Sequence, residues 1–144
     1  MAQRAQAEEE LRRLSREMQY LEQTAEALQQ RISMVNAALT DINYANMTLD
    51  GMEKEKENSE MLIPIGGSSY VKVKLADTNK VIIGLGSGVS VEKTLPEAKA
   101  TLKERLDELE KTMHAAQQQF SQVAERINSG RSRLESMLSR EGKQ

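Results

Sequence analysis

The chain has 144 residues, with 20 Lys and Arg against 22 Asp and Glu and a formal net charge of −2. That length accommodates one domain and not two full ones, and the near-neutral balance removes the electrostatic case for a nucleic-acid or anionic-membrane partner. The absence of cysteine excludes a disulfide framework, a thiolate nucleophile and a Cys-based zinc site.

Hydrophobic residues are 38% and aromatics only 3%, namely Tyr20, Tyr44, Tyr70 and Phe120. A globule of this size normally draws on aromatics to fill its interior, so an elongated shape is expected. Met1 to Glu10 is polar and charged, so no secretory leader is expected. The longest apolar run, around Met61 to Ile65, is too short to span a membrane. A cytoplasmic location fits these features.

In chain order, residues 4–57 are rich in Ala, Glu, Gln, Arg, Leu and Met, with no proline and Gly51 as the sole glycine. These residue types lose little entropy in a helix. Leu11, Leu14, Met18, Leu21, Ala25, Leu28, Ile32, Val35, Leu39, Ile42, Asn46 and Leu49 recur at alternating steps of three and four. All but Asn46 are apolar, which is the heptad of a coiled coil. Asn46 on the stripe is expected to key the register, as single buried asparagines do. Asn46-Met47-Thr48 also matches a glycosylation sequon, by chance in a helix.

Residues 61–93 switch to Val, Ile, Gly and Ser and read as four short strands. Met61–Ile65 and Tyr70–Leu75 flank the turn Gly66-Gly67-Ser68, and Val81–Leu85 and Val89–Glu92 flank Gly86-Ser87-Gly88. Val71, Val73 and Leu75 share one face and Lys72 and Lys74 the other, by the period of two. Pro64 suits an edge strand or a strand start. Two hairpins alone are marginal in water, so this zone is expected to bury its apolar surface against other chains. The residues assigned to assembly are Ile63, Ile65, Val71, Val73, Val81, Ile83, Val89 and Val91.

Residues 94–140 return to helix, opened by Thr94-Leu95-Pro96-Glu97 with capping-box spacing. The stripe is Leu102, Leu106, Leu109, Met113, Ala116, Phe120, Val123, Ile127, Gly130, Leu134 and Met137. Two stripes of similar length joined by a structured connector predict an antiparallel helical hairpin. One register pairs residues whose numbers sum to 148. It sets Leu21 against Ile127, and Met18 against Gly130 and Ile32 against Ala116, so that large side chains tend to meet small ones. Registers shifted by one heptad preserve the same pattern.

No motif points to catalysis or to a cofactor. Gly84, Gly86 and Gly88 precede another strand instead of a helix, and no Gly-Lys-Ser/Thr follows, so neither nucleotide fingerprint is present. His114 is the sole histidine, on a helix flank, and no metal site is signalled. The run Glu53-Lys54-Glu55-Lys56-Glu57 reads as a solvated helix end with local ion pairs. The eight methionines are more informative. Met18 and Met137 fall near the free helix ends, beside Leu11, Leu14, Leu134 and Leu138, and flexible thioethers serve core filling and adaptable apolar binding alike.

The order helix, two β-hairpins, helix resembles the α-type subunit of archaeal prefoldin. The segment that carries the resemblance is Leu62-Ile63-Pro64-Ile65-Gly66-Gly67 with Tyr70-Val71, then Gly84-Leu85-Gly86-Ser87-Gly88 and Val91-Glu92-Lys93-Thr94. It implies an α+β fold in which a long antiparallel coiled-coil hairpin carries two β-hairpins that join an intersubunit β-barrel platform. It further implies a hexamer of two α-type and four β-type subunits, holding unfolded client proteins at the arm tips and passing them to a group II chaperonin without nucleotide. Leu11, Leu14, Met18, Leu134, Met137 and Leu138 are then the expected client-binding residues. The alternative from another class is a structural scaffold or filament subunit assembled through the same hairpins. An enzyme is not expected.

Overall fold

The computed structural model describes residues 1–142, with side chains through Arg140. Its elements are α1 (Ala2–Glu53), β1 (Glu60–Gly66), β2 (Ser69–Lys74), β3 (Lys80–Gly86), β4 (Val89–Thr94) and α2 (Leu95–Gly142). The strands form two separate antiparallel pairs, β1–β2 and β3–β4. The fold is therefore the α+β combination of two long helices and two β-hairpins that the sequence pattern predicts. Two compact units are distinguished: a terminal unit of Met1–Ala37 with Glu110 onward, and a central unit of Ala38–Leu109.

In the terminal unit the heptad residues face one another. Met18, Leu21, Leu28 and Val35 of α1 are buried, as is Ala116 of α2. Ile32, Met113, Phe120, Val123 and Ile127 are partly buried along the same seam. A Cβ placed on Gly130 would collide with the sulfur of Met18 and lie 3.4 Å from its terminal methyl carbon. That contact selects the register that sums to 148, because a one-heptad shift would set Met18 against Val123 or Met137 instead. Arg131 and Glu22 add an exposed ion pair at 3.6 Å.

The central unit is built on one cluster: Leu49, Met52, Ile83, Leu95 and Ala98 are buried, with Met61, Leu75, Val81 and Leu102 packed against them. The heptads therefore extend further toward the strands than the stripes that end at Leu49 and begin at Leu102. No polar or charged side chain is buried among the described residues, and Asn46 is only partly covered. Asn46 is therefore not a buried polar key.

α1 stops at Glu53, short of the expected end near residue 57. Met52 is the last residue with a core to pack into, and the charged residues after it have none. Lys54 N–H donates to the Gly51 carbonyl and Glu55 N–H to that of Met52, both at 3.2 Å, which tightens the final turn. At the start of α2 the expected cap is present, with the Thr94 hydroxyl accepting Glu97 N–H at 3.4 Å.

Both hairpins carry the same irregularity. The pairing slips between Pro64 and Gly66 in the first and between Gly84 and Gly86 in the second. Gly66 and Gly86 share φ of 99°, followed by Gly67 at 59° and Ser87 at 53°. The two hairpins are one bulged unit repeated at an offset of twenty residues (Leu62 to Ile82, Ile63 to Ile83, Ile65 to Leu85, Val71 to Val91), counted along the chain.

Candidate functional site

Two surfaces are candidates, the hairpins of the central unit and the helix ends of the terminal unit. In β1–β2, Met61 pairs with Val73 and Ile63 with Val71 on one face, and Leu62 with Lys72 and Pro64 with Tyr70 on the other. Ile63 is 36% exposed and Ile65 64%, and Val71, Leu62 and Tyr70 are exposed as well. A two-stranded sheet with apolar side chains open on both faces is not a stable endpoint in water.

β3–β4 is different. Ile83, equivalent to Ile63, is only 4% exposed and belongs to the chain's own cluster, with Val81 packed beside it. The hairpin is tied down further where the Arg105 guanidinium donates to the Gly84 carbonyl at 2.7 Å. Ile83 is thus an internal anchor of its hairpin, and the partly buried Val81, also in the expected assembly set, packs beside it. Val73 and Val91 are partly buried and Val89 is exposed. Leu62, Tyr70, Ile82 and Leu85 are exposed residues that the assembly set omitted. The offset of twenty would have flagged Leu62 with Ile82 and Ile65 with Leu85.

Lys99 clamps the end of α1, its ammonium lying 2.8 Å from Asp50 and 2.7 Å from Glu53. Hydrogen bonds to Asp50 first and Glu53 second raise its pKa above the ordinary 10.5.

At the helix ends, Leu11, Leu14, Leu134 and Met137 are partly buried and Leu138 is exposed. Leu14 and Met137 line a shallow cleft with Glu10, Arg13, Glu17 and Arg133. Met18, the other expected client-contact residue, is 6% exposed, seated in the space that Gly130 leaves. Among the described residues no cluster of His, Cys, Asp and Glu is placed to hold a metal, and no helix is long and apolar enough to cross a membrane.

A family model described as a prefoldin subunit matches residues 21–139, which take in all four strands and most of both helices. The chain belongs to the prefoldin family. Its similarity is to α-type archaeal prefoldin: it is 34% identical to prefoldin subunit alpha of Pyrococcus horikoshii over 124 residues, covering 85% of this chain and 84% of that one. Against prefoldin subunit alpha of Nitrosopumilus maritimus it is 29% identical, covering 92% of this chain and 90% of the other. Among solved structures, filamentous prefoldin of Methanocaldococcus jannaschii superposes with a TM-score of 0.64 at 20% identity, covering 78% of this chain and 93% of that one. The prefoldin beta subunit of Thermococcus strain KS-1 gives 0.59 at 18% identity, covering 88% and 90%. At those identities the structures speak to the fold alone. The chain is thus a prefoldin chaperone subunit, from a family that is not enzymatic.

Proposed function

We propose that this chain works as an ATP-independent holdase subunit in the cytoplasm, residues 1–144 acting as one domain. In this reading it joins β-type prefoldin subunits, two α with four β, and binds unfolded clients at its helix ends for delivery to a group II chaperonin. The observation that carries the assembly half is the open apolar surface of β1–β2, where Ile63, Ile65 and Val71 remain 36%, 64% and 43% exposed. Val73, Val89 and Val91 extend that set, and the hairpins they build would join neighbouring subunits in a β-barrel platform. Client contact is assigned to Leu11, Leu14, Leu134, Met137 and Leu138, with Met18 joining them once the helix ends part. Weak contacts at several arms would give avidity, with each single contact released quickly.

The test is light scattering of an aggregating denatured protein without nucleotide, with this chain alone and then with a β-type partner. Suppression that needs the mixture supports the reading. Assembly confirmed by mass with no suppression would sink it and favour the scaffold or filament alternative. Replacing Ile65 and Val71 by Asp should preserve the helical signal and shift the mass to unassembled subunits. A normal assembly mass from that variant removes the hairpin argument. Replacing Leu14 and Met137 by Ser should leave assembly intact and abolish protection.

A further inference from the structure

We infer that residues 128–132 of α2 form a hinge at which the two helix ends part, with Met18 as its latch. The inference rests on client capture at those ends and says what controls it. Asn128-Ser129-Gly130-Arg131-Ser132 gathers four poor helix formers in five positions. On either side stand strong ones, Ala124-Glu125-Arg126 before and Arg133-Leu134-Glu135 after. Gly130 is also the one glycine of α2 ahead of Gly142.

Two contacts hold this weak segment to α1. The sulfur of Met18 fills the place of the missing Cβ at Gly130, and Glu22 pairs with Arg131 at 3.6 Å. The ion pair is exposed on both partners, so it contributes little. Met18 carries most of the attachment. On α1 burial changes at this same level: no side chain of residues 1–17 is buried, whereas Met18 and Leu21 are, while on α2 the side chains from 117 to 140 are at most partly buried on both sides of the segment. A shallow cleft lined by Leu14, Met137, Arg13 and Arg133 lies on the outer side of this level. Release of Met18 therefore frees a segment with few contacts to lose, and it exposes Leu11, Leu14, Met18, Leu134 and Met137 together. The latch itself becomes part of the apolar surface.

Hydrogen exchange by mass spectrometry, on the full chain in its assembled state, tests the hinge independently of any client. The expected result is fast exchange in residues 1–17 and 133–142 with a sharp fall inward of residues 128–132. Replacing Asn128, Ser129 and Ser132 by Ala strengthens the helix at exposed positions without touching the latch. It should slow exchange in both outer segments about tenfold, the sum of the three propensity differences. Met18→Ala should speed it. A graded profile without a boundary, or outer exchange that the triple variant leaves unchanged, overturns the hinge. Capture at the ends is read separately, by client protection with Leu14 and Met137 replaced by Ser. Full protection there sinks the capture reading while a responsive exchange boundary leaves the hinge standing.

Discussion

The two β-hairpins share a length, a bulge and a turn geometry, yet one is anchored and the other is open. In β3–β4, Ile83 enters the cluster with Leu49, Met52, Leu95 and Ala98, and Arg105 holds the Gly84 carbonyl. In β1–β2, the equivalent Ile63 stays partly in solvent, and Met61 and Leu75 only border the cluster. A repeated local structure therefore does not receive repeated surroundings. The difference follows from connectivity. β4 ends at Thr94 and α2 begins at Leu95, so the second hairpin grows directly out of a helix, whereas residues 54–59 separate α1 from the first.

The largest test of this asymmetry is the pair Ile83→Ala and Ile63→Ala. The first leaves a hole in a closed cluster and should cost about 2 to 4 kcal/mol. The second removes a half-solvated side chain and should cost less than about 1 kcal/mol in the isolated chain. Urea unfolding followed by the helical signal reads both, and equal costs would mean that the two hairpins are equally anchored. Arg105→Gln comes next. Losing the bond to the Gly84 carbonyl should cost about 1 kcal/mol and speed amide exchange in β3–β4 while leaving β1–β2 unchanged.

A smaller effect should treat the hairpins alike. Ser68 and Ser87 sit at φ of 58° and 53°, a region that costs a residue with a Cβ and not glycine. Ser68→Gly and Ser87→Gly should each stabilise by about 0.5 kcal/mol, visible as matched small rises in thermal midpoint. The smallest concerns Lys99, which ties the end of α1 to α2 through Asp50 and Glu53. Its raised pKa means that its contribution is complete below 10.5 and is lost as pH climbs through the higher folded value. Wild type should therefore loosen in that alkaline range relative to neutral pH, and Lys99→Met should lack that extra loss.

Much of this was legible in the sequence. The stripes, the four strands, the cap at Thr94 and the pairing of Met18 with Gly130 all follow from period and size, which are local or pairwise properties. The end of α1 was less legible, since Lys54 to Glu57 carry helix-forming side chains and only the lack of anything to pack against stops them. Met52, Leu95 and Ala98 could have been found by continuing the three-four spacing beyond Leu49 and before Leu102. Which hairpin keeps its isoleucine inside could not be found that way. Ile63 and Ile83 occupy equivalent positions in equivalent strands, and their fates are set by how each hairpin is connected and packed. At the helix ends the pairing itself separates Met18 from Met137, which look alike in the heptad, because only Met18 faces a glycine.

The seamless join of β4 to α2 also has a mechanical consequence. Thr94 ends the strand and Leu95 opens the helix, while Leu95 N–H donates to the Asn79 carbonyl at 2.9 Å. A torque applied to the second hairpin is therefore delivered to the root of α2 without slack. Residues 54–59 interpose a loop between α1 and the first hairpin, so along the backbone a pull on that hairpin would reach α1 only through the loop. One connection is a crankshaft and the other a tether, so the two hairpins would transmit the strain of a loaded assembly unequally.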